Sequence, residues 1–392
     1  MRNVVPVVGA ICSLLFLTST AASARQADDS AAPGGPPVLR VTFPVGHAPR
    51  VANGTWTDRV VGIPGENTQK AALRLALPSF SSSIVARGKR FKFTMVGTNP
   101  SLRNTKKVTI PVQLLPVRFE FPDGTVLDPA APNSGCAGDG TPLNLTLQSP
   151  LFEDADYGEG GRQFAEEIRR LEFWAYVGPR RINPGYSVRL SVSSPASIRI
   201  TLPAGYQTQT APCGRQGLID FDTWNTVLPQ LMPLLQQYVG VNAKTFPVFL
   251  FLNVMTDAGD SGLLAGFHSW INSGGVQTYG VAMYDTTQNS PTSKDVSVLS
   301  HAIAEWYDDP LVNNATPSWG HLGQVEGCRT NLEVGDPLTG SPLFEIDMPN
   351  GFTYHTQETA FFSWFYNQVP SLGVNGLYSS GGSFTAPAEL CH

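Results

Sequence analysis

A histidine and a glutamate four residues apart are the side chains of this sequence best placed to bind a metal ion. His301 and Glu305 lie in the segment SHAIAEWYDDP, and on a helix this spacing puts both side chains on one face, one turn apart. An imidazole nitrogen and a carboxylate oxygen are common ligands of zinc. The spacing therefore predicts two ligands of one divalent cation, for which zinc is favoured.

Two side chains do not complete a metal site, so a third ligand must come from elsewhere in the chain. The leading candidate is Glu333 in the motif NLEVGDP, which follows a long loop rich in Gly, Pro and Asn. Long loops of this kind tend to have functional roles. The predicted metal ligands are therefore His301, Glu305 and Glu333, and the alternatives for the third position are Asp336, Asp309, His321 and His355.

An ordinary amphipathic helix is the alternative interpretation of the same segment. At about 100° per residue, one side of the helix is apolar and the other carries His301, Glu305 and Asp308. In that interpretation the polar side chains form a solvated face and bind nothing. The preceding strand, at about residues 275–284, favours the metal site. If that strand is a sheet edge, it could pair with an extended peptide, as in zinc peptidases of the zincin type.

The elements around this helix predict an α+β fold in two parts. From Val38 to about residue 205 nearly all signals are strand signals, such as the period-two pattern of residues 108–114. After Cys213 strands and helices are mixed. We expect a β-rich, sandwich-like domain over residues 38–205 and an α+β domain over residues 206–392. The predicted elements of the second part are helices at 221–238, 293–308 and 356–367 and strands at 246–254 and 275–284.

The N-terminus has the features of a signal peptide. Arg2 precedes an apolar stretch over residues 4–17, and the small-residue sequence ASA follows at residues 22–24. This stretch is shorter than the roughly 20 residues that span a bilayer. We therefore expect residues 1–24 to be cleaved and residues 25–37 to form a flexible linker. The chain is expected to be secreted, to an extracellular or periplasmic location.

Composition restricts the expected partners. The sequence has 26 basic and 31 acidic residues, and removal of Arg2 leaves 25 − 31 = −6 as the net charge. There is no basic run, so nucleic acid is not an expected partner. No later segment is long and apolar enough to predict a membrane span. The expected partner is a peptide or protein substrate.

Four cysteines follow the predicted signal peptide. An even number in an exported chain predicts two disulfide bonds, and four cysteines can pair in three ways. We favour Cys136 with Cys213 and Cys328 with Cys391, because each pair would close a loop within or beside one half of the chain. Buried free thiols are the alternative.

Several stretches of this sequence resemble a family of uncharacterised secreted bacterial proteins. Such proteins usually read H-E-x-x-E-W at the helix, which is similar to a zincin motif with glutamate as the second ligand, and they share the L-E-V-G-D-P motif. The resemblance implies a zincin-like second domain and a metal-binding, peptidase-like function. The shared stretches cover residues 110–129, 147–152, 245–254, 277–284, 295–314, 331–338 and 350–358.

One position departs from the peptidase pattern. In H-E-x-x-H enzymes the glutamate after the first histidine takes a proton from metal-bound water, and here that position is Ala302. A methyl group cannot accept a proton, so hydrolysis must be slow, must use another carboxylate such as Glu326 or Asp336, or must be absent. We expect a peptidase homologue with impaired catalysis. The alternative is a non-catalytic extracellular protein that binds a surface or a glycan, in which the helix with His301 and Glu305 is structural.

Overall fold

Strands outnumber helices in this mixed α and β fold. The computed structural model describes residues 23–25, 36–43, 58–62, 74–103, 105–132, 140–158, 160–259 and 262–392. The predicted signal peptide and linker lie almost wholly outside these residues, and so does Cys136. Within the described ranges, no helix combines the length and apolar character that a bilayer crossing needs.

In the described part of the chain, the secondary structure consists of many short strands and six α-helices. The helices are α1 (Pro142–Leu147), α2 (Phe164–Glu172), α3 (Trp174–Val177), α4 (Phe221–Val239), α5 (Ser297–Asp308) and α6 (Phe362–Phe365), with short 3-10 turns at Asp336–Leu338 and Val374–Gly376. The strands are β1 (Ser23–Arg25), β2 (Val38–Thr42), β3 (Asp58–Gly62), β4 (Ser79–Ala86), β5 (Lys89–Val96), β6 (Val108–Glu120), β7 (Val126–Leu127), β8 (Ala155–Asp156), β9 (Gly161–Arg162), β10 (Val188–Ser193), β11 (Ser197–Thr201), β12 (Thr208–Thr210), β13 (Arg215–Asp220), β14 (Phe246–Leu252), β15 (Val254–Asp257), β16 (Leu263–Asn272), β17 (Val276–Tyr284), β18 (Ala315–Leu322), β19 (Val325–Asn331), β20 (Phe344–Asp347) and β21 (Thr353–Thr356).

A 13-stranded sheet runs through the described chain in the order β1-β2-β11-β6-β14-β17-β16-β15-β13-β12, with β10 and β7 beside β6 and β3 beside β16. Its centre joins the two predicted parts, because β6 pairs in parallel with β14. The N-terminal strands β2, β6, β10 and β11 therefore belong to this sheet and do not form a separate sandwich. The predicted boundary after residue 205 falls between β11 and β12, two strands of the same sheet.

Both faces of this sheet are buried. Along β6, Ile110 and Val112 belong to the core that contains α5, whereas Val117 and Phe119 belong to the core that contains α4. Strand β14 is buried at all of its positions and lies parallel to both of its neighbours. A parallel strand covered on both faces has a continuous apolar sequence, which explains the segment FPVFLFL.

The strand that precedes α5 lies inside the sheet. Strand β17 pairs in parallel with β14 on one side and antiparallel with β16 on the other. The expectation of a sheet edge at this strand is therefore wrong. Its backbone groups are already paired along both sides, so it cannot add a substrate strand.

Of two helices predicted from local sequence patterns, one is confirmed and the other is mostly wrong. Helix α4 matches the prediction for residues 221–238. Its N-cap Asp220 accepts a hydrogen bond from the Thr223 amide at 2.7 Å, and Gly240 ends it at φ +76°. The helix predicted at 356–367 is mostly wrong, since only Phe362–Phe365 is helical. Thr356 pairs with Phe344 in a hairpin, and the Gln357 amide donates a hydrogen bond to Ser300. The backbone at the start of the predicted helix is therefore engaged in tertiary contacts.

A disulfide bond ties β19 to the C-terminal tail. It joins Cys328 and Cys391, which are 63 residues apart in sequence, so the predicted pairing of these two is confirmed. Cys213 is also disulfide-bonded, and its predicted partner Cys136 lies outside the described residues. The loop closed by the first bond contains Glu333 and Asp336.

Removal of the Cys328–Cys391 bond should destabilise the chain. For the double variant Cys328→Ser, Cys391→Ser we expect the free energy of unfolding to fall by about 2–4 kcal/mol, because an uncrosslinked unfolded chain has more conformational entropy. Urea denaturation of the variant beside the wild type measures the difference. Equal stability would show that the bond does not restrain the unfolded chain.

Candidate metal centre

Helix α5, which carries two of the predicted ligands, is buried on every side. All of its 12 residues are buried, and His301 and Glu305 are 0 % exposed. The solvated-face alternative is therefore wrong. The helix packs against β3, β16 and β17. Ionisable side chains in such a place need a partner or a counter-charge, because burial of an unpaired charge is costly.

The first group of ligand atoms surrounds His301. Its Nε2 lies 2.8 Å from Oε1 of Glu305 and 3.4 Å from Oδ1 of Asp336. Asp336 begins the 3-10 turn that follows the motif NLEV, and it was predicted only as an alternative third ligand. The ligand atoms of these three residues all lie within 4.8 Å of one another.

A second group surrounds His268, which lies on β16. Its Nε2 is 3.8 Å from Oε2 of Glu305 and 3.8 Å from Oε2 of Glu333. The ligand atoms of these three residues also lie within 4.8 Å of one another. Glu333 thus lies beside Glu305, as the sequence predicted, but it is grouped with His268 and not with His301. Glu305 is common to both groups.

Asp309, another alternative ligand, is buried near the two groups but is already bound by backbone. Its Oδ1 accepts from the Asn313 amide and its Oδ2 from the Asn314 amide, each at 2.9 Å. Burial raises the pKa of Asp309 to about 8, although these two hydrogen bonds lower it. Both carboxylate oxygens of Asp309 are therefore bound by backbone amides, and Asp309 is not assigned as a ligand.

The other two alternative ligands lie elsewhere. His355 Nδ1 is 2.6 Å from Oδ2 of Asp295. His321 Nε2 lies 4.0 Å from Sγ of Cys328, and that sulfur is committed to the disulfide bond. A disulfide sulfur is not a thiolate, so the group of His321 with Cys328 and Cys391 does not form a zinc site.

The orientation of His301 is set by Gln357. The Gln357 Nε2 donates to the Gly335 carbonyl at 2.6 Å, so its Oε1 faces Nδ1 of His301 at 2.8 Å. Nδ1 is therefore the donor, and Nε2 faces the carboxylate oxygens of Glu305 and Asp336. A lone pair at Nε2 would repel these oxygens, so a proton or a cation must lie between them.

Among the described residues, several polar atoms at the centre have no hydrogen-bond partner. They are Nε2 of His301 and of His268, both carboxylate oxygens of Glu305, and Oε2 of Glu333. The short distance from His301 Nε2 to Glu305 Oε1 does not have the angles of a hydrogen bond. Buried polar atoms are rarely left in this state. Within each of the two groups, ligand atoms that face one another without hydrogen-bonding are the arrangement expected around a metal ion.

Neighbouring amides hold the carboxylates in place. The Asn331 Nδ2 donates to Oε1 of Glu333 at 2.6 Å, which leaves Oε2 directed at the centre. The Gln324 Nε2 donates to Oδ1 of Asp336. Hydrogen bonds to the ligands of a metal fix their orientation and increase its affinity.

The buried groups perturb one another's protonation. Burial raises the pKa of Glu305 and of Glu333 well above the usual carboxyl value, and it lowers the pKa of His268 to about 4. For His301 burial acts in the same downward direction, but Glu305 and Asp336 outweigh it and raise the pKa to about 10. A divalent cation would replace the protons that these carboxyl groups and His301 otherwise hold.

Two glycines allow the close approach of the elements that form the centre. A Cβ atom on Gly266 would lie 2.7 Å from Val298 Cγ1, so α5 could not pack as closely on β16. A Cβ atom on Gly335 would lie 2.5 Å from Nε2 of His301. The positions of His268 and His301 relative to Glu305 therefore depend on the absence of a side chain at these two glycines.

Substitution of Gly335 should weaken metal binding. In Gly335→Ala the new methyl group must displace the His301 ring, and we expect zinc affinity to fall by about 10–100-fold, the usual effect of disturbing the support of a ligand. Competition with a chromophoric chelator measures the affinity. Gly185→Ala is the matched control, because a Cβ there meets nothing within 4 Å. Unchanged affinity in Gly335→Ala would contradict the assignment of His301 as a ligand.

Sequence reasoning missed His268. The available signal was a single histidine inside the otherwise apolar segment LLAGFHSWI. A lone histidine in a buried strand has no recognisable partner in the sequence, because Glu305 and Glu333 follow 37 and 65 residues later (305 − 268 and 333 − 268).

Comparisons with known proteins add no assignment to this geometry. No family model, no curated protein and no solved structure matches the chain.

Proposed function

We propose that this chain is an exported protein that binds a divalent cation, with zinc favoured, in an enclosed centre. The observation that supports the proposal is a pair of buried ligand groups that share Glu305, in which most ligand atoms have no hydrogen-bond partner among the described residues. Imidazole and carboxylate groups together suit zinc and similar transition metals. The candidate ligands form two groups, one of His301, Glu305 and Asp336 and one of His268, Glu305 and Glu333.

The enclosure of the centre supports a role in stability without hydrolysis. The five ligand side chains are 0–5 % exposed, whereas a catalytic zinc keeps a position open to water and substrate. The cleft of about 170 Å³ between the β4–β5 hairpin and α6 is lined by none of them. A cation bound here stabilises the folded chain by linking β16, α5 and the segment after β19.

The surroundings of Ala302 agree with impaired catalysis. This residue is 1 % exposed and belongs to the apolar core that contains α5, so no proton acceptor stands at the position that peptidases of the zincin type use. A distant relation to such peptidases remains part of the proposal, on the resemblance of α5 and the NLEVGDP motif. The proposed protein is a peptidase-like metal binder that does not hydrolyse peptides.

Metal analysis of the purified chain tests this proposal. We expect elemental analysis to find zinc in the wild type and in Glu345→Ala, whose side chain is 71 % exposed, but not in the double variant His301→Ala, Glu305→Ala. Zinc-loaded wild type should not cleave casein. Negligible zinc in all three proteins would overturn the metal site. Cleavage that requires zinc and is lost in the double variant would overturn the non-catalytic role.

A further inference from the structure

We propose that the centre binds two divalent cations and that the carboxylate of Glu305 bridges them. This inference rests on the proposed metal-binding function and extends it from one ion to a pair. The first ion would be held by His301 and Asp336, the second by His268 and Glu333, and each would bind one oxygen of Glu305.

The two oxygens of Glu305 face different ligand groups. Oε1 lies 2.8 Å from His301 Nε2, and Oε2 lies 3.8 Å from His268 Nε2. Ligands bound at about 2.0 Å in a tetrahedral shell are about 3.3 Å apart, and the two distances fall on either side of that value. A carboxylate that binds with one oxygen to each ion suits the separation of about 3.5–4 Å found in two-metal sites.

A single ion would leave the ligand atoms of one of the two groups without a bonding partner. If it occupied the group of His301, Nε2 of His268 and Oε2 of Glu333 would remain buried without a hydrogen-bond partner. If it occupied the group of His268, Nε2 of His301 would still face Oδ1 of Asp336 at 3.4 Å. Unsatisfied buried polar atoms cost free energy. A single ion leaves this cost in place, and binding of a second ion would remove it.

Stoichiometry tests the inference. The chelator-stripped chain is titrated with Zn²⁺ in a calorimeter, and bound zinc is then counted by elemental analysis. We expect two ions per wild-type chain, one in His268→Gln, one in His301→Gln, and two in His392→Gln, whose side chain is exposed. Circular dichroism confirms that each variant is folded.

The outcomes separate this inference from the proposed function. One ion in the wild type, lost in His301→Gln and retained in His268→Gln, would leave the metal-binding function standing and overturn the pair. No ion in the wild type would overturn both. A second measurement needs no variant: at saturation with Mn²⁺, the wild type should give the broadened electron paramagnetic resonance spectrum of a coupled pair. An isolated six-line spectrum at saturation would overturn the bridge.

Discussion

Glu305→Gln should abolish the metal-dependent stability of this protein. At a zinc concentration of 100 times the dissociation constant, one bound ion adds about 2.7 kcal/mol to the free energy of unfolding. The wild type should gain at least this amount, and the variant should gain almost nothing, because an amide replaces the carboxylate common to both ligand groups. Thermal or urea unfolding with and without zinc measures the gain.

The same variant should behave differently in chelator. Burial raises the pKa of Glu305 well above its usual value of 4.5. The folded chain therefore resists ionisation of this group, and the stability it contributes is lost as the pH rises above the usual carboxyl range. A neutral amide removes this loss, so metal-free Glu305→Gln should be at least as stable as metal-free wild type at pH 7. The control Glu345→Gln, at an exposed position, should respond to zinc as the wild type does. Equal destabilisation of Glu305→Gln in chelator and in zinc would indicate a packing role without metal.

Arg169→Met should cause a large loss of stability. Arg169 is 1 % exposed, and its Nη2 lies 2.8 Å from Oδ1 of Asp308 and donates to the Tyr307 carbonyl at 2.8 Å. The guanidinium lies 5.6 Å from the ring centres of Phe173 and Tyr307. This side chain joins α2 to the last turn of α5. Loss of one partner of a buried ion pair costs about 3–5 kcal/mol, and we expect that decrease in urea denaturation.

A surface pair provides the control for Arg169. Arg215 pairs with Asp123 at 2.9 Å, and the two side chains are 41 % and 39 % exposed. Arg215→Met should therefore cost only about 0–1 kcal/mol. Adding Asp308→Asn to Arg169→Met should recover part of the loss, because it removes one of the two buried carboxylates, Asp308 and Glu172, that lie beside Arg169. A loss in Arg169→Met no larger than in Arg215→Met would contradict the importance of the buried pair.

The local elements of this fold could be predicted because their signals are local. Helix α5 was predicted at residues 293–308 and is observed at Ser297–Asp308, and α4 was predicted almost to its ends. Both have apolar side chains at helical spacing. The last predicted helix failed because hairpin pairing and side-chain contacts, which sequence spacing does not contain, determine the backbone near Thr356.

The candidate centre was predicted in part. The spacing of His301 and Glu305 identified one helical face, and the NLEVGDP motif pointed to Glu333. His268 was not identified, because β16 reaches α5 only through the packing of the sheet against the helix. The close contact at Gly266 that brings them together involves Val298, 32 residues later (298 − 266).

The sequence by itself determined where strands and helices form and which two side chains share a helical turn, because hydrophobic periodicity acts over a few residues. Only the tertiary structure decided that β6 pairs with β14, that β17 lies inside the sheet, and that α5 is buried on all sides. The tertiary structure also placed a different group of candidate ligands beside each carboxylate oxygen of Glu305. Such contacts join residues far apart in sequence, and they depend on strand pairing and on how closely two backbones can approach, neither of which a local pattern specifies.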